Sequence, residues 1–132
     1  MSQENVELTY RALDAFSRRD VDALLALFDE DAEIYSRLAP LVEGRYRGHD
    51  GVRRWVQNLF DVFPDWSAEA SEVRDHGDVT LGVVRVRGHG AQSGAPFDQT
   101  MWQVGHWRDG KIVRYSGHES EAEALEAAGL RE

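Results

Sequence analysis

An α+β domain is what this sequence predicts, on three observations. Apolar residues recur at helical spacing through the first half, they alternate at strand spacing from Trp66 onward, and tight-turn sequences punctuate only the second half. Helices followed by consecutive hairpins imply an antiparallel sheet with the helices segregated on one face. The 132 residues suffice for one domain with one core, spanning 1–132.

Ser2 is placed to cap a first helix whose apolar stripe reads Val6, Tyr10, Leu13 and Phe16. Arg18-Arg19-Asp20 breaks it, and Asp20 caps a short second helix with Val21, Leu24, Leu25 and Phe28 inward. Asp29-Glu30-Asp31 ends that helix, residues 32–36 read as a short strand, and residues 37–48 read as a loop. The third helix carries the cleanest pattern, with Val52, Trp55, Val56, Leu59, Phe60 and Phe63 on one stripe and Pro64 as its stop. Turns at 75–78 and at Arg108-Asp109-Gly110-Lys111 separate strands near 67–75, 78–88, 97–108 and 111–118. Ser120-Glu121-Ala122-Glu123 is a capping box for a last short helix closed by Gly129.

Net charge is −9, with the Arg residues scattered among acids, so no concentrated basic face for nucleic acid is expected. The absence of cysteine excludes a disulfide scaffold, a thiolate zinc site and a Cys nucleophile. His residues lack metal-ligand spacing, so neither metal nor cofactor is expected. The polar, acidic N-terminus does not read as a secretory leader, no apolar run is long enough for a membrane span, and a cytoplasmic location is the expectation.

Several segments in order and spacing resemble one family: residues 12–16, 20–24 and 27–34, then Tyr46-Arg47-Gly48-His49-Asp50-Gly51-Val52-Arg53, Trp107-Arg108-Asp109-Gly110-Lys111-Ile112 and residues 123–130. Together they resemble the SnoaL-like branch of the nuclear transport factor 2-like superfamily. The resemblance implies an α+β cone: three N-terminal helices packed on a strongly curved antiparallel sheet, a short C-terminal helix, and an apolar pocket opening at one end. Members include ketosteroid isomerases, polyketide cyclases and limonene-epoxide hydrolases, so the fold does not choose the chemistry. A steroid isomerase would need a carboxylate base and a Tyr/Asp oxyanion hole at positions that hold Ser36, Ala12 and Gln103 here, which excludes that reaction. The epoxide hydrolase arrangement needs two Asp around an Arg; Arg85 and Asp98 lack a second Asp and read as solvated sheet-face charges.

Strand parity assigns the pocket wall, starting from the resemblance, which puts Gln103 inward. Phe97, Gln99, Met101 and Gly105 then share its face, and on the last strand Tyr115, Gly117 and Glu119 share one face. Gly105 either widens the pocket or marks a bulge. Tyr10, Tyr35, Trp55, Phe60 and Trp66 are expected at the narrow end, and Arg37 at the mouth. Glu119 lies near the position of the polyketide cyclase carboxylate and, with His118 as the second choice, would move a proton while Gln103 orients a carbonyl. Trp102, Val104 and His106 fall on the outer face and predict a homodimer. The leading expectation is therefore a pocket for a small apolar carbonyl ligand, with cyclase- or isomerase-like acid–base chemistry if it is an enzyme. Against it stand a homodimeric structural module with a filled core and a cofactor-free hydrolase or dehydratase.

Overall fold

The computed structural model describes residues 2–36 and 44–130. The order is α1 (Ser2–Ser17), α2 (Val21–Leu25), β1 (Phe28–Tyr35), β2 (Arg45–Arg47), α3 (Gly48–Val62), β3 (Ser67–His76), β4 (Val79–His89), β5 (Pro96–Arg108), β6 (Lys111–His118) and α4 (Glu121–Ala127). The strands form one curved, unclosed six-stranded sheet in the order β2-β1-β6-β5-β4-β3.

The local signals act as their chemistry requires. Asp20 accepts a hydrogen bond from Ala23 N at 3.2 Å and opens α2; Ser120 accepts from Glu123 N at 3.2 Å and opens α4. Asp109 and Gly110 adopt positive φ of 53° and 75°, the geometry of a tight hairpin turn between β5 and β6. Arg19 also sits at positive φ, 58°, where α1 ends. It is held there by donating to Pro64 O at 2.7 Å while its guanidinium lies 4.1 Å from the Phe60 ring centroid.

Three expectations need correction. The sheet is mixed, because β1 runs parallel to β6, while every other pair is antiparallel. The chain leaves β1, crosses through α3 and the hairpins, and returns beside it, a long-range pairing that local patterns do not encode. Second, β1 begins at Phe28, and the acids that were expected to end a helix instead form an irregularity inside the strand between Phe28 and Glu33. Third, the helices are not all on one face. The inner face carries α1–α3 and the main core, whereas Ala124 and Ala128 of α4 pack on the outer face with Leu81 and Val104. No helix among the described residues is long and apolar enough to cross a membrane.

Candidate ligand-binding site

The inner face of β4, β5 and β6 is a checkerboard of small and large side chains. Register places Thr80, Gly105 and Tyr115 in one row and Gly82, Gln103 and Gly117 in the next. Gln103 is thus flanked by glycine on both neighbouring strands, and Gly105 follows it on its own face. Gln103, Gly105 and Gly117 line a cavity of about 80 Å³. At ~10–15 Å³ per water position, it has room for roughly five to eight such positions, the scale of a one-ring ligand.

The walls are apolar and aromatic: Phe16, Leu24 and Phe28 from the first segments, Trp55 and Leu59 from α3, then Trp66, Met101 and Tyr115. Trp55 anchors them, with ring centroids 4.8 Å from Phe16 and 5.1 Å from Tyr115. The polar complement is small: Thr9, Ser36, Thr80 and Gln103, with the Tyr115 hydroxyl and the indole groups. Trp107 Nε1 donates to Thr80 Oγ1 at 3.0 Å, and Thr9 Oγ1 donates to Asn5 O at 2.8 Å. Gly105 makes the Trp107 bond possible, since a Cβ there would lie 3.0 Å from Thr80 Oγ1 and 3.1 Å from Trp107 Nε1. It pairs regularly on both sides, and the bulge falls at His106/Trp107 instead.

Burial pushes the Tyr115 phenol well above the usual tyrosine range. None of the described lining residues carries a charge. Among the described residues no three His, Asp or Glu gather as a metal site would need.

Of the residues expected from sequence, Trp55, Trp66, Met101, Gln103, Gly105 and Tyr115 line the cavity. Ala12 and Ser36 line it too, so the three positions that isomerase chemistry would occupy do share one cavity, holding a methyl, a hydroxyl and an amide. Arg37 lies outside the described residues.

Other expected residues lie away from the cavity lining. Tyr10 is 44% exposed, because α1 turns Thr9, Ala12, Leu13 and Phe16 inward instead. Tyr35 is on the other face of β1, its ring between the guanidinium groups of Arg45 and Arg114, because Ile34 takes the inward position. Phe60 is solid core under Arg19, and Phe97 packs on Phe63 and Trp66 away from the cavity. Gln99 is half-buried and does not reach the lining. Glu119 follows the end of β6 and is exposed, and His118 bonds to Ser116 Oγ at 2.8 Å on the outer face, so neither proton carrier reaches the cavity. Arg85 and Asp98 form an exposed bidentate pair at 2.9 and 2.6 Å. Sequence reasoning missed Thr9, Thr80 and Trp107; a threonine interrupting an apolar stripe or strand face was the available signal.

Helices packed on a curved, unclosed mixed sheet, with a cavity whose described lining is uncharged and partly polar, define an α+β cone. The sequence profile of the SnoaL-like domain matches residues 10–115, and the chain belongs to that family. No functionally curated protein matches it. Among solved structures, a nuclear transport factor 2-like protein of unknown function from Burkholderia pseudomallei shares 20% identity at a TM-score of 0.79, covering 96% of this chain and 97% of that one. A protein with a ketosteroid isomerase-like fold from Catenulispora acidiphila, in complex with trimethylamine, shares 18% identity at 0.75, covering 94% and 92%. TerC, co-crystallised with polyporic acid, shares 18% identity at 0.79, covering 96% and 98%. At these identities the likeness is one of fold.

Proposed function

We propose that this SnoaL-like domain binds one small, largely apolar ligand in the cavity and hydrogen-bonds its carbonyl oxygen through Gln103. The observation that carries the reading is the Gln103 amide itself. It lines an apolar cavity, makes no side-chain hydrogen bond to the described protein, and is surrounded by Gly82, Gly105 and Gly117. A closed core would leave that amide unpaired at a cost of about 1–3 kcal/mol, whereas an amide facing a wet or ligand-filled space avoids it. Similar folds holding trimethylamine and polyporic acid support a pocket that takes small molecules. Proton transfer by Glu119 or His118 is not part of this reading, since both lie off the cavity.

Calorimetric titration with acetophenone and toluene tests it. One site per subunit is expected for both, and Gln103→Leu should weaken acetophenone while sparing toluene. No binding of either, with a more stable Gln103→Leu variant, would favour the filled structural module. The domain is further proposed to pair through its outer face, where Trp102 is only half-buried beside the α4 cluster. Light scattering that gives monomer mass at micromolar concentration would remove that part.

A further inference from the structure

Resting on the proposal that the cavity takes a ligand, we infer that Trp107 sets the size of ligand it admits and that Thr80 is its positioning residue. The Thr80 hydroxyl latches the indole over Gly105 as an end wall, and the latched wall restricts the site to one-ring ligands.

Trp107 follows Gln103 and Gly105 at period two along β5, and all three line the cavity. Thr80 stands directly opposite Gly105 on β4, so it is the diagonal neighbour of Trp107. The Trp107 Nε1–H donates to Thr80 Oγ1 at 3.0 Å, a bond that draws the indole back across the glycine. A Cβ at position 105 would lie 3.1 Å from Trp107 Nε1 and 3.7 Å from its Cε2. The space that a side chain at 105 would take is therefore occupied by the edge of the indole. Among the described lining residues none lies beyond Trp107 on β5 or before Thr80 on β4, so the lining ends at this pair along both strands.

The latch is itself held from behind. Thr80 is 2% exposed and Trp107 5%. The Thr80 hydroxyl lies 3.4 Å from that of Thr9, which donates to Asn5 O at 2.8 Å, and Asn5 Nδ2 donates to Gly77 O at 3.2 Å. The Trp107 backbone N–H donates to Asp78 O at 2.8 Å. A chain of polar contacts thus runs from the indole through α1 to the turn between β3 and β4. An indole that left this seat would strand its N–H away from its acceptor, which gives the wall one favoured position. A ligand with a second fused ring needs the space that the indole fills.

The experiment is an NMR titration of the full chain with acetophenone and 2-acetylnaphthalene, which carry the same acetyl group, so their affinity ratio isolates size. In the unaltered protein acetophenone is expected to bind about tenfold or more tightly, the reverse of what apolar area alone would give. Thr80→Val keeps the shape but removes the acceptor, and should lower that ratio about fivefold or more. Thr80→Ser keeps a hydroxyl and should preserve the ratio. Trp107→Phe should also lower it, and adding Thr80→Val should then change nothing further, because the two residues act as one unit. A bond with only a structural role would lower the stability of Thr80→Val and leave the ratio untouched, and that result overturns the inference. So does 2-acetylnaphthalene that equals acetophenone in the unaltered protein, although acetophenone binding then leaves the proposed pocket standing. Should the variants fail to fold, the unaltered protein decides. A Trp107 indole N–H that exchanges with solvent as fast as an exposed indole overturns the latch, and a protected one together with the expected ranking supports it. Failure of acetophenone and toluene alike to bind overturns this inference and the binding proposal together.

Discussion

On β5, Trp102 and Val104 face one side of the sheet and Met101, Gln103 and Gly105 face the other, and the two sides are finished in opposite ways. The outer side is filled: Leu81, Val104 and Ala124 have no exposed surface, and α4 closes over them. The inner side has glycine at three positions around Gln103, and two of them, Gly105 and Gly117, line a cavity that aromatic core surrounds. The difference teaches that the cavity is written in side-chain size along alternate residues of the same strands, and does not come from loose packing of the domain as a whole.

The largest effect is expected on the filled side. Leu81→Ala should cost about 2–5 kcal/mol in denaturant unfolding, the usual loss for truncating a fully buried leucine. A loss below about 1 kcal/mol would mean that the outer cluster is as slack as the inner face, and the contrast would collapse.

The glycines of the inner face should separate from one another. Gly105→Ala forces a Cβ within 3.0–3.1 Å of Thr80 Oγ1 and Trp107 Nε1 and should destabilise by about 1–3 kcal/mol. Gly117→Ala meets only Met101 Cε at 3.5 Å, an ordinary contact, so its stability change should stay within about 0.5 kcal/mol while the added methyl beside Gln103 weakens acetophenone. Equal costs for the two substitutions would sharpen the account against a ligand-accommodating role for Gly117.

A smaller effect appears only in alkali. The Tyr115 phenol has a folded-state pKa raised by burial above its unfolded value near 10. Its contribution is thus complete below about pH 10 and is lost as pH rises beyond, where the unfolded chain ionises and the folded chain does not. The slope is at most about 1.4 kcal/mol per pH unit. Tyr115→Phe should flatten the decline in melting temperature between about pH 10 and 11; an unchanged decline would place the phenol in a far wetter setting.

Much of the fold was legible because its signals are local. The α3 stripe, the Asp109-Gly110 turn and the Ser120 cap each act through residues a few positions apart. The parallel β1–β6 pairing and the outer placement of α4 depend on contacts between distant segments, and the three-residue β2 is too short to show alternation. For the site, period two along β5 and β6 puts Met101, Gln103, Gly105 and Tyr115 on the cavity side, while Phe97 and Gln99 of the same alternation lie outside the lining. The helix was harder to read. Each residue turns about 100°, so an inward Thr9 carries Tyr10 out to solvent. Glu119 was misplaced because β6 ends at His118 and the alternation ends with it.

The central claim is that the inner face is hollow and presents Gln103 to a ligand oxygen. Crystals soaked in acetophenone test it most directly. The account predicts one molecule ringed by Trp55, Met101 and Tyr115, its carbonyl oxygen at about 2.7–3.2 Å from the Gln103 amide nitrogen. A cavity closed by rearranged side chains, with the Gln103 amide hydrogen-bonded to backbone groups and no ligand density, would contradict it.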